Sequence, residues 1–535
     1  MKDKKDNTYI WWKHGVIYHL YIRSFFDSNN DGIGDLNGVT EKLDYLKELG
    51  VDAIWLSPFF KSPQVDFGYD VSNYIKIHPE YGTIDDFKSL IKQAHQRGIR
   101  IIIDMILNHT SSQHDWFVES RSSKDNPKRD WYIWQKSDKK NPPNNWRTPF
   151  GKKAWEYDKN TNEYYFHSFF KEQPDLNWRN PNVEKALFQD ITYWLDLGVD
   201  GLRLDVINLI VKDKKLRNNP SFFNQIIKPD EVYSRDRPTS IKIIKSLRQL
   251  LDTYENRMCV GEIYALPPGN SKLVGKYMDK GDNALNMAFD FSLIFARWSA
   301  NKYRKVLTSG YQNIPLKGWP CTVLSNHDLN RNKAKPLFSN HTKIAKLKAL
   351  LSMTLYGTPF IYYGEEIGMK NVKVPYNKLK DRIGKMYWPF YTGRDKSRTP
   401  LHWNSSAHAG FSNNMPWLPV DREYKKYNID QQSSDKNSIL NAYRELIRIR
   451  KTYKVFNKGR WSLVSSASKH ILAYERKRKD KQLIILLNFS RLPKQTHQYK
   501  DYHILFSTNR DNNQLHESLK LAGLEGVILS KDKLI

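Results

Sequence analysis

The run Gly201-Leu202-Arg203-Leu204-Asp205-Val206-Ile207-Asn208 reads as a short buried strand that ends in a charged pair. Side chains alternate along a strand, so Arg203 and Asp205 point to one face and Leu202 and Leu204 to the other. A parallel sheet is covered on both faces, and charges on an inner face need a partner or a task. Arg203 beside Asp205 is expected to keep that carboxylate ionised by lowering its pKa. An ionised, oriented carboxylate at the carboxyl end of a strand is a candidate nucleophile. A buried ion pair that only fixes strand register would have the same local sequence. The other strand ends therefore decide.

Outward from this stretch the chain alternates strands and helices. Strand-like runs at Val16–Ile22, Ala53–Leu56 and Arg100–Asp104 precede it, with helical spacing over Val39–Leu49 and Phe87–Gln96. Pro181–Leu197 is a helix leading into it, and Ile241–Tyr254 is a helix before the strand Met258–Glu262. Asn286–Phe291, Thr322–Ser325 and Phe360–Tyr363 bring the strand count to eight, and the helix Ser438–Arg450 closes the series. This predicts an α/β fold, a (β/α)8 TIM barrel, over an open doubly wound sheet. Two segments break the alternation. Residues 105–180 are irregular and rich in Trp, Tyr, Asn and Pro, which suggests a small domain inserted after strand three. Residues 451–535 turn to short alternating strands such as His470–Tyr474 and Gln482–Leu487, which predicts a C-terminal antiparallel β domain of sandwich type. The barrel then takes residues 1–104 and 181–450.

Composition narrows the class. At 535 residues, with 39% hydrophobic and 13% aromatic content, the chain is globular and expected to hold two or three domains. The net charge of +29 is spread along the chain without a nucleic-acid motif, so it reads as a solvated basic surface and no nucleic-acid partner is expected. Cys259 and Cys321 both fall on predicted buried strands, which argues against a disulfide framework and suits a reducing compartment. The first residues carry no apolar signal core and no stretch approaches a membrane span, so the expected location is cytoplasmic.

Catalytic groups of a (β/α)8 barrel sit at the carboxyl ends of its strands. Here Asp66-Phe67-Gly68-Tyr69-Asp70 follows strand two, and Asp104-Met105-Ile106-Leu107-Asn108-His109 ends strand three. Arg203 and Asp205 end strand four, Gly261-Glu262 strand five, and Ser325-Asn326-His327-Asp328 strand seven. A fold needs no such ring of acids, and assembling one costs repulsion and desolvation. Converging strain of this kind marks function.

The motifs DMILNH, GLRLDVIN, GEIY and SNHD resemble the signature regions of the α-amylase family of glycoside hydrolases, in the family's order and over nearly the whole chain. QPDLNW at Gln173–Trp178 and GRDKSRTPLHW at Gly393–Trp403 resemble its oligo-1,6-glucosidase and α-glucosidase branch. The resemblance implies Asp205 as nucleophile, Glu262 as proton donor and Asp328 as the third acid that holds sugar hydroxyls. It implies His109 and His327 as hydroxyl ligands, Asp66 and Arg398 as the pair gripping the non-reducing end, and Tyr69 as a stacking ring. Phe169 is a candidate for the pocket wall, although the inserted segment's aromatics could equally form their own core. The implied activity is that of a retaining, exo-acting α-glucosidase on short oligosaccharides, forming a covalent glucosyl-enzyme. In similar enzymes a Val at the position of Val206 accompanies α-1,6 cleavage and an Ala α-1,4, so the resemblance implies α-1,6 linkages such as isomaltose, with α-1,4 as the second choice. Phe67, Leu401-His402 and the segment around Tyr376–Tyr391 depart from the branch and leave linkage and chain length open. Trehalose-6-phosphate hydrolysis and sucrose isomerisation suit the same frame; a non-catalytic glycan-binding scaffold is the distant alternative. The expected assembly is a monomer or small homo-oligomer away from membranes.

After the first strand, Asp27-Ser28-Asn29-Asn30-Asp31-Gly32-Ile33-Gly34-Asp35 places oxygen atoms at alternate positions. The twelfth position is Gly38 rather than a bidentate Glu, so this is not an EF-hand. It is similar to the calcium site of oligo-1,6-glucosidase-like enzymes. That likeness implies Asp27, Asn29, Asp31, the Ile33 carbonyl and Asp35 as ligands of a structural Ca²⁺, with Mg²⁺ as the second choice. An Asx-rich turn without an ion is the alternative.

Overall fold

Eight short strands lie parallel in one sheet of the computed structural model. They are β1 (Ile17–Leu20), β2 (Ala53–Leu56), β3 (Arg100–Met105), β4 (Gly201–Leu204), β5 (Met258–Glu262), β6 (Met287–Phe289), β7 (Cys321–Val323) and β8 (Thr358–Tyr362). The structure describes residues 9–139, 141–220, 231–265, 269–331, 340–466, 468–479, 481–499, 501–510 and 519–531. The hydrogen-bonded order is β6-β5-β4-β3-β2-β1-β8-β7. The ring is completed between β6 and β7, where the Cys321 thiol meets the Ala288 carbonyl at 3.3 Å.

Alternation along each strand sorts the residues into two cores. Ile17, Ala53, Ile102, Met258, Val260 and Met287 fill the barrel interior. Their neighbours Tyr18, Ile54, Ile101, Leu202, Cys259 and Ile361 face outward into the helical layer. Gly201 belongs to the inner set, and a Cβ there would come within 2.8 Å of the Met258 sulfur. The missing side chain lets Met258 close the floor.

The helices begin where the sequence offers caps. Thr83 and Asp86 form a capping box at Ile84–Gln96, Asn180 caps Pro181–Asp196, and Ser438 caps Ile439–Thr452. The helix expected over Val39–Leu49 is instead two, Leu36–Glu41 and Leu43–Leu49, parting at Lys42. Asp35 caps the first, and Thr40 bonds back to the Leu36 carbonyl, a contact that bends helices.

Between β3 and Pro181–Asp196 the chain builds a helix (Asp115–Ser122) and a three-stranded sheet from Trp134–Gln135, Glu163–Phe166 and Trp155–Asp158. Trp146, Trp155, Tyr164 and Phe166 pack there as a separate core, so much of this segment's aromatic content serves its own folding. Beyond the barrel, Ile471–Arg478 and Lys481–Asn488 anchor a five-stranded antiparallel sheet that faces a two-stranded one, with Ile471, Ile484, Leu486 and Leu521 between them. Among the described residues no helix is long and apolar enough to cross a membrane.

Candidate active site

Cross-strand register assembles the acids. Asp104 on β3 lies opposite Arg203 on β4, and Val260 on β5 lies opposite Arg203 from the other side, with Glu262 two residues further on. One guanidinium therefore reaches three carboxylates. Arg203 Nη1 donates to Asp104 and to Asp205, each at 2.7 Å, and Nη2 donates to Glu262. Trp55 and the Tyr69 hydroxyl donate to the second oxygen of Asp104 at 3.3 and 3.2 Å. Asp205 and Glu262 open onto one cavity of about 790 Å³, whose wall also includes Asp66, Tyr69, His109, Phe169 and Asp328.

Burial dominates the titration of this trio. It pushes Asp104 up to about 6, Asp205 to about 7 and Glu262 to about 8, against the opposing pull of Arg203. Arg203 does pull the Asp205 pKa down as expected, but burial outweighs it, and the expectation that Asp205 is held ionised by a lowered pKa is corrected. A single cation divided among three desolvated carboxylates cannot hold them all charged. The neighbouring Asp205 carboxyl raises Glu262 further, so the two compete for a proton. Glu262 is the more strongly raised and keeps it; Asp205 ionises first.

A second cluster closes the far side of the cavity. The structure pairs Asp66 with Arg394, not with Arg398. Arg394 also meets Asp381 at 2.9 Å and Asp328 at 3.5 Å. Arg398 lies behind it, fully buried, donating to the His327 carbonyl at 2.8 Å and to Asp328 at 2.9 Å. Both arginines stand in the GRDKSRTPLHW stretch, four residues apart across a short 3₁₀ turn (Asp395–Ser397), so the motif located the clamp but not which cation reaches Asp66. Asp381, outside every quoted motif, was not anticipated.

The remaining candidates divide by position. His109 and Phe169 line the cavity and touch edge to face at 5.3 Å. Phe169 thus belongs to the wall and not to the insert's core. His327 lies below the wall; its Nε2 meets the Tyr69 hydroxyl at 2.6 Å, its ring stacks on Tyr69, and burial keeps it neutral. Arg203, His327 and Arg398 therefore act from behind the residues that contact the cavity. Val206 lines the cavity in a left-handed backbone conformation, φ 35° and ψ 44°. That is a strained state for a β-branched residue, and the tight turn it makes ends the strand directly after Asp205.

In the loop after β1, Asp27 accepts the amides of Asn30 and Gly32, Asn29 accepts that of Asp31, and Asp31 accepts that of Ile33. Asp35 accepts Ser28 and Gly38. Asp27 and Asp35 are buried, and no basic side chain pairs with them among the described residues. Buried carboxylates without an ion-pair partner suit a bound cation, and three of these four oxygens accept a single hydrogen bond. Among the described residues no group of three or more His, Cys, Asp or Glu is gathered closely enough to hold a metal by itself, so carbonyl and amide oxygens would have to complete the shell.

A closed parallel barrel with two adjoining carboxyls at a sugar-sized cavity defines a glycoside hydrolase of the (β/α)8 class. Residues 19–459 match the alpha amylase catalytic domain, and the chain belongs to that family. It is 39% identical over 515 residues to an oligo-1,6-glucosidase of Parageobacillus thermoglucosidasius, covering 90% of this chain and 91% of the relative. It is also 39% identical over 496 residues to a probable alpha-glucosidase of Rhizobium meliloti (strain 1021), covering 90% and 89%. The crystal structure of an alpha-glucosyl transfer enzyme, XgtA, superposes with a TM-score of 0.90 at 34% identity, covering 98% of this chain and all (100%) of the other.

Proposed function

We propose that the protein is a retaining, exo-acting α-glucosidase that removes single glucose units from short α-glucosides, α-1,6-linked ones such as isomaltose before α-1,4. The observation that carries this reading is the Arg203 fork, which holds the Asp205 and Glu262 carboxyls side by side at the cavity floor. Retention needs such proximity, about 5 Å, whereas inversion needs room for a water between the carboxyls. The Asp205 carboxylate attacks the anomeric carbon as Glu262 gives its proton to the departing glycosidic oxygen. The ionised Glu262 then takes a proton from water, and the resulting hydroxide displaces Asp205 from the same face that the leaving group vacated. Asp328 and Asp66, fixed by Arg394, accept hydrogen bonds from the glucose hydroxyls. The Arg394–Asp66 pair closes the non-reducing side, which supports exo action.

Hydrolysis of methyl α-glucoside followed by proton NMR tests this: α-glucose appears first and mutarotates later. Release of the β anomer first would overturn it. A panel of maltose, isomaltose, sucrose, trehalose and trehalose 6-phosphate ranks the substrates. The phosphorylated sugar is expected last. Among the described residues of the cavity wall Arg394 is the sole permanent cation, and it already serves three carboxylates.

We also propose a structural Ca²⁺, with Mg²⁺ as a substitute, in the Asp27–Asp35 loop. The expected ligands are Asp27, Asn29, Asp31, the Ile33 carbonyl and Asp35. The two buried, unpaired carboxylates support it. Treatment with a chelator should lower the melting temperature by several degrees, roughly 1–2 kcal/mol in a chain of this size, with little effect on the initial rate. An unchanged melting curve counts against the ion.

A further inference from the structure

The segment from Tyr376 to Tyr391 breaks the usual rule for large apolar side chains. Phe390 is 97% exposed, Trp388 38% and Tyr391 39%, with Tyr376 and Met386 exposed beside them. Scattered apolar residues are ordinary, but a contiguous patch on one segment marks a binding surface. This patch is continuous with the catalytic cavity, because Phe390, Tyr391 and Tyr387 form part of its outer wall. It is also held in place. The Tyr387 hydroxyl donates to the Phe150 carbonyl of the inserted segment. Arg382 pairs with Glu172 at 3.1 Å and lies over the Phe170 ring. The Tyr376 and Trp388 rings meet at 5.6 Å. The rings are therefore presented by an anchored rim.

The chemistry of the outer chamber identifies what it takes. Phe291 and Leu329 stand in the same wall as Phe390. The nearby polar side chains are partly engaged by their own loops. The Asp290 carboxylate accepts Ser292, the Asn270 oxygen accepts the Leu273 amide, and the Asn326 oxygen accepts the Asp328 and Leu329 amides. An alkyl or aryl group would meet the rings of Phe291, Tyr387, Phe390 and Tyr391.

We propose that this chamber is a binding site for an apolar aglycone, so that the preferred substrates include α-glucosides whose leaving group is a hydrophobic alcohol or phenol. The inference rests on the α-glucosidase reading and names the leaving group for it. Alkyl α-glucosides provide the test, because methyl, butyl and octyl leaving groups differ little in acidity and greatly in apolar area. In the wild type kcat/KM should rise at least about tenfold from methyl to octyl, measured below the micellar concentration. In Phe390→Ser and Trp388→Ser the octyl-to-methyl ratio should fall to about threefold or less. A flat series in the wild type, or an undiminished ratio in both variants, would overturn the proposal. So would a loss on isomaltotriose as large as that on octyl α-glucoside, which would make the rim a sugar platform. If no glucoside at all is turned over, it is the glycosidase reading that fails. Calorimetry then still decides: octyl α-glucoside should bind at least about tenfold more tightly than methyl, and equal affinities would reject the apolar site.

Discussion

Arg203 serves three buried carboxylates alone, whereas Arg394 and Arg398 divide Asp66, Asp328 and Asp381 between them. Both clusters border one cavity, and burial opposes ionisation in both. Around Arg203 it prevails, and Asp205 and Glu262 rise toward neutrality. Around the pair it loses: Arg394 overrides the burial of Asp381 and pulls that carboxyl down to about 2. The lesson is one of stoichiometry. A cation shared too thinly leaves a proton in the site, where chemistry can use it. At Asp381, two nearby arginines hold a fixed charge, and a fixed anion beside Arg394 keeps the clamp on a sugar in place.

The largest test removes the proposed nucleophile. Asp205→Asn should lower kcat on an aryl α-glucoside on the order of 10⁴-fold or more while circular dichroism stays native. It also relieves Arg203 of one claimant, so the variant should be no less stable than the wild type. Near-wild-type turnover would transfer the nucleophile to another acid and dissolve the contrast between the clusters.

The proton itself is read by pH. The kcat/KM profile should be bell-shaped, rising as Asp205 ionises and falling as Glu262 ionises, with apparent values that belong to the pair. Glu262→Gln should cost on the order of 10³-fold on isomaltose, far less on an aryl glucoside with a good leaving group, and should erase the alkaline limb. Stability has a definite sign here. The folded protein keeps the Glu262 proton where the unfolded chain has released it, so this group weakens the fold as pH rises from about 4.3 through about 8. Glu262→Gln should lack that decline. A wild-type alkaline limb that survives in the variant would assign the acid elsewhere.

The second cluster predicts the opposite slope. Asp381 is depressed when folded, so its contribution is complete above the unfolded value of about 3.9 and disappears as pH falls through about 2. That shift corresponds to about 2 kcal/mol at neutral pH. Denaturant melts of Asp381→Asn should show a deficit of this order at pH 7 and none near pH 2. Arg394→Ala should reduce kcat/KM about 10²-fold, mainly through KM, because Asp66 loses its partner. Equal damage from Arg398→Ala at the level of KM would deny Arg394 its special place.

The sequence carried the barrel because strand alternation and capped helices report themselves locally. Leu202 and Leu204 against Arg203 and Asp205 show the period, and Asn180 before Pro181 shows a helix start. The acids were legible for the same reason, since each ends its own strand. What escaped depends on three-dimensional sharing. Nothing local to Arg203 indicates that Asp205 is buried or that Asp104 and Glu262 also claim its one cation, and burial first, with that sharing, reverses the expected shift of Asp205. Arg394 and Arg398 stand four residues apart, and only the path of the 3₁₀ turn between them decides which one reaches Asp66. The split of the Val39–Leu49 helix arises from a side-chain contact, Thr40 to Leu36, that leaves the apolar spacing intact.

Val206 belongs to neither cluster and so separates shape from charge. Its side chain stands in the cavity wall beside Asp205, and its left-handed backbone fixes the direction in which the isopropyl group projects. Val206→Ala removes two methyl groups from the leaving-group side of the nucleophile and alters no ionisable group. Differences of that size are worth about 1–3 kcal/mol between competing substrates. The ratio of kcat/KM for isomaltose to that for maltose should therefore drop roughly tenfold, with the pH profile unmoved. Alanine also tolerates the left-handed conformation better than a β-branched residue, so the variant should be as stable as the wild type or slightly more so. A shifted pH profile would mean that Val206 sets the burial of the Asp205–Glu262 pair. An unchanged substrate ratio would mean that linkage is chosen elsewhere, and the aromatic rim at Phe390 is the next wall a leaving group meets.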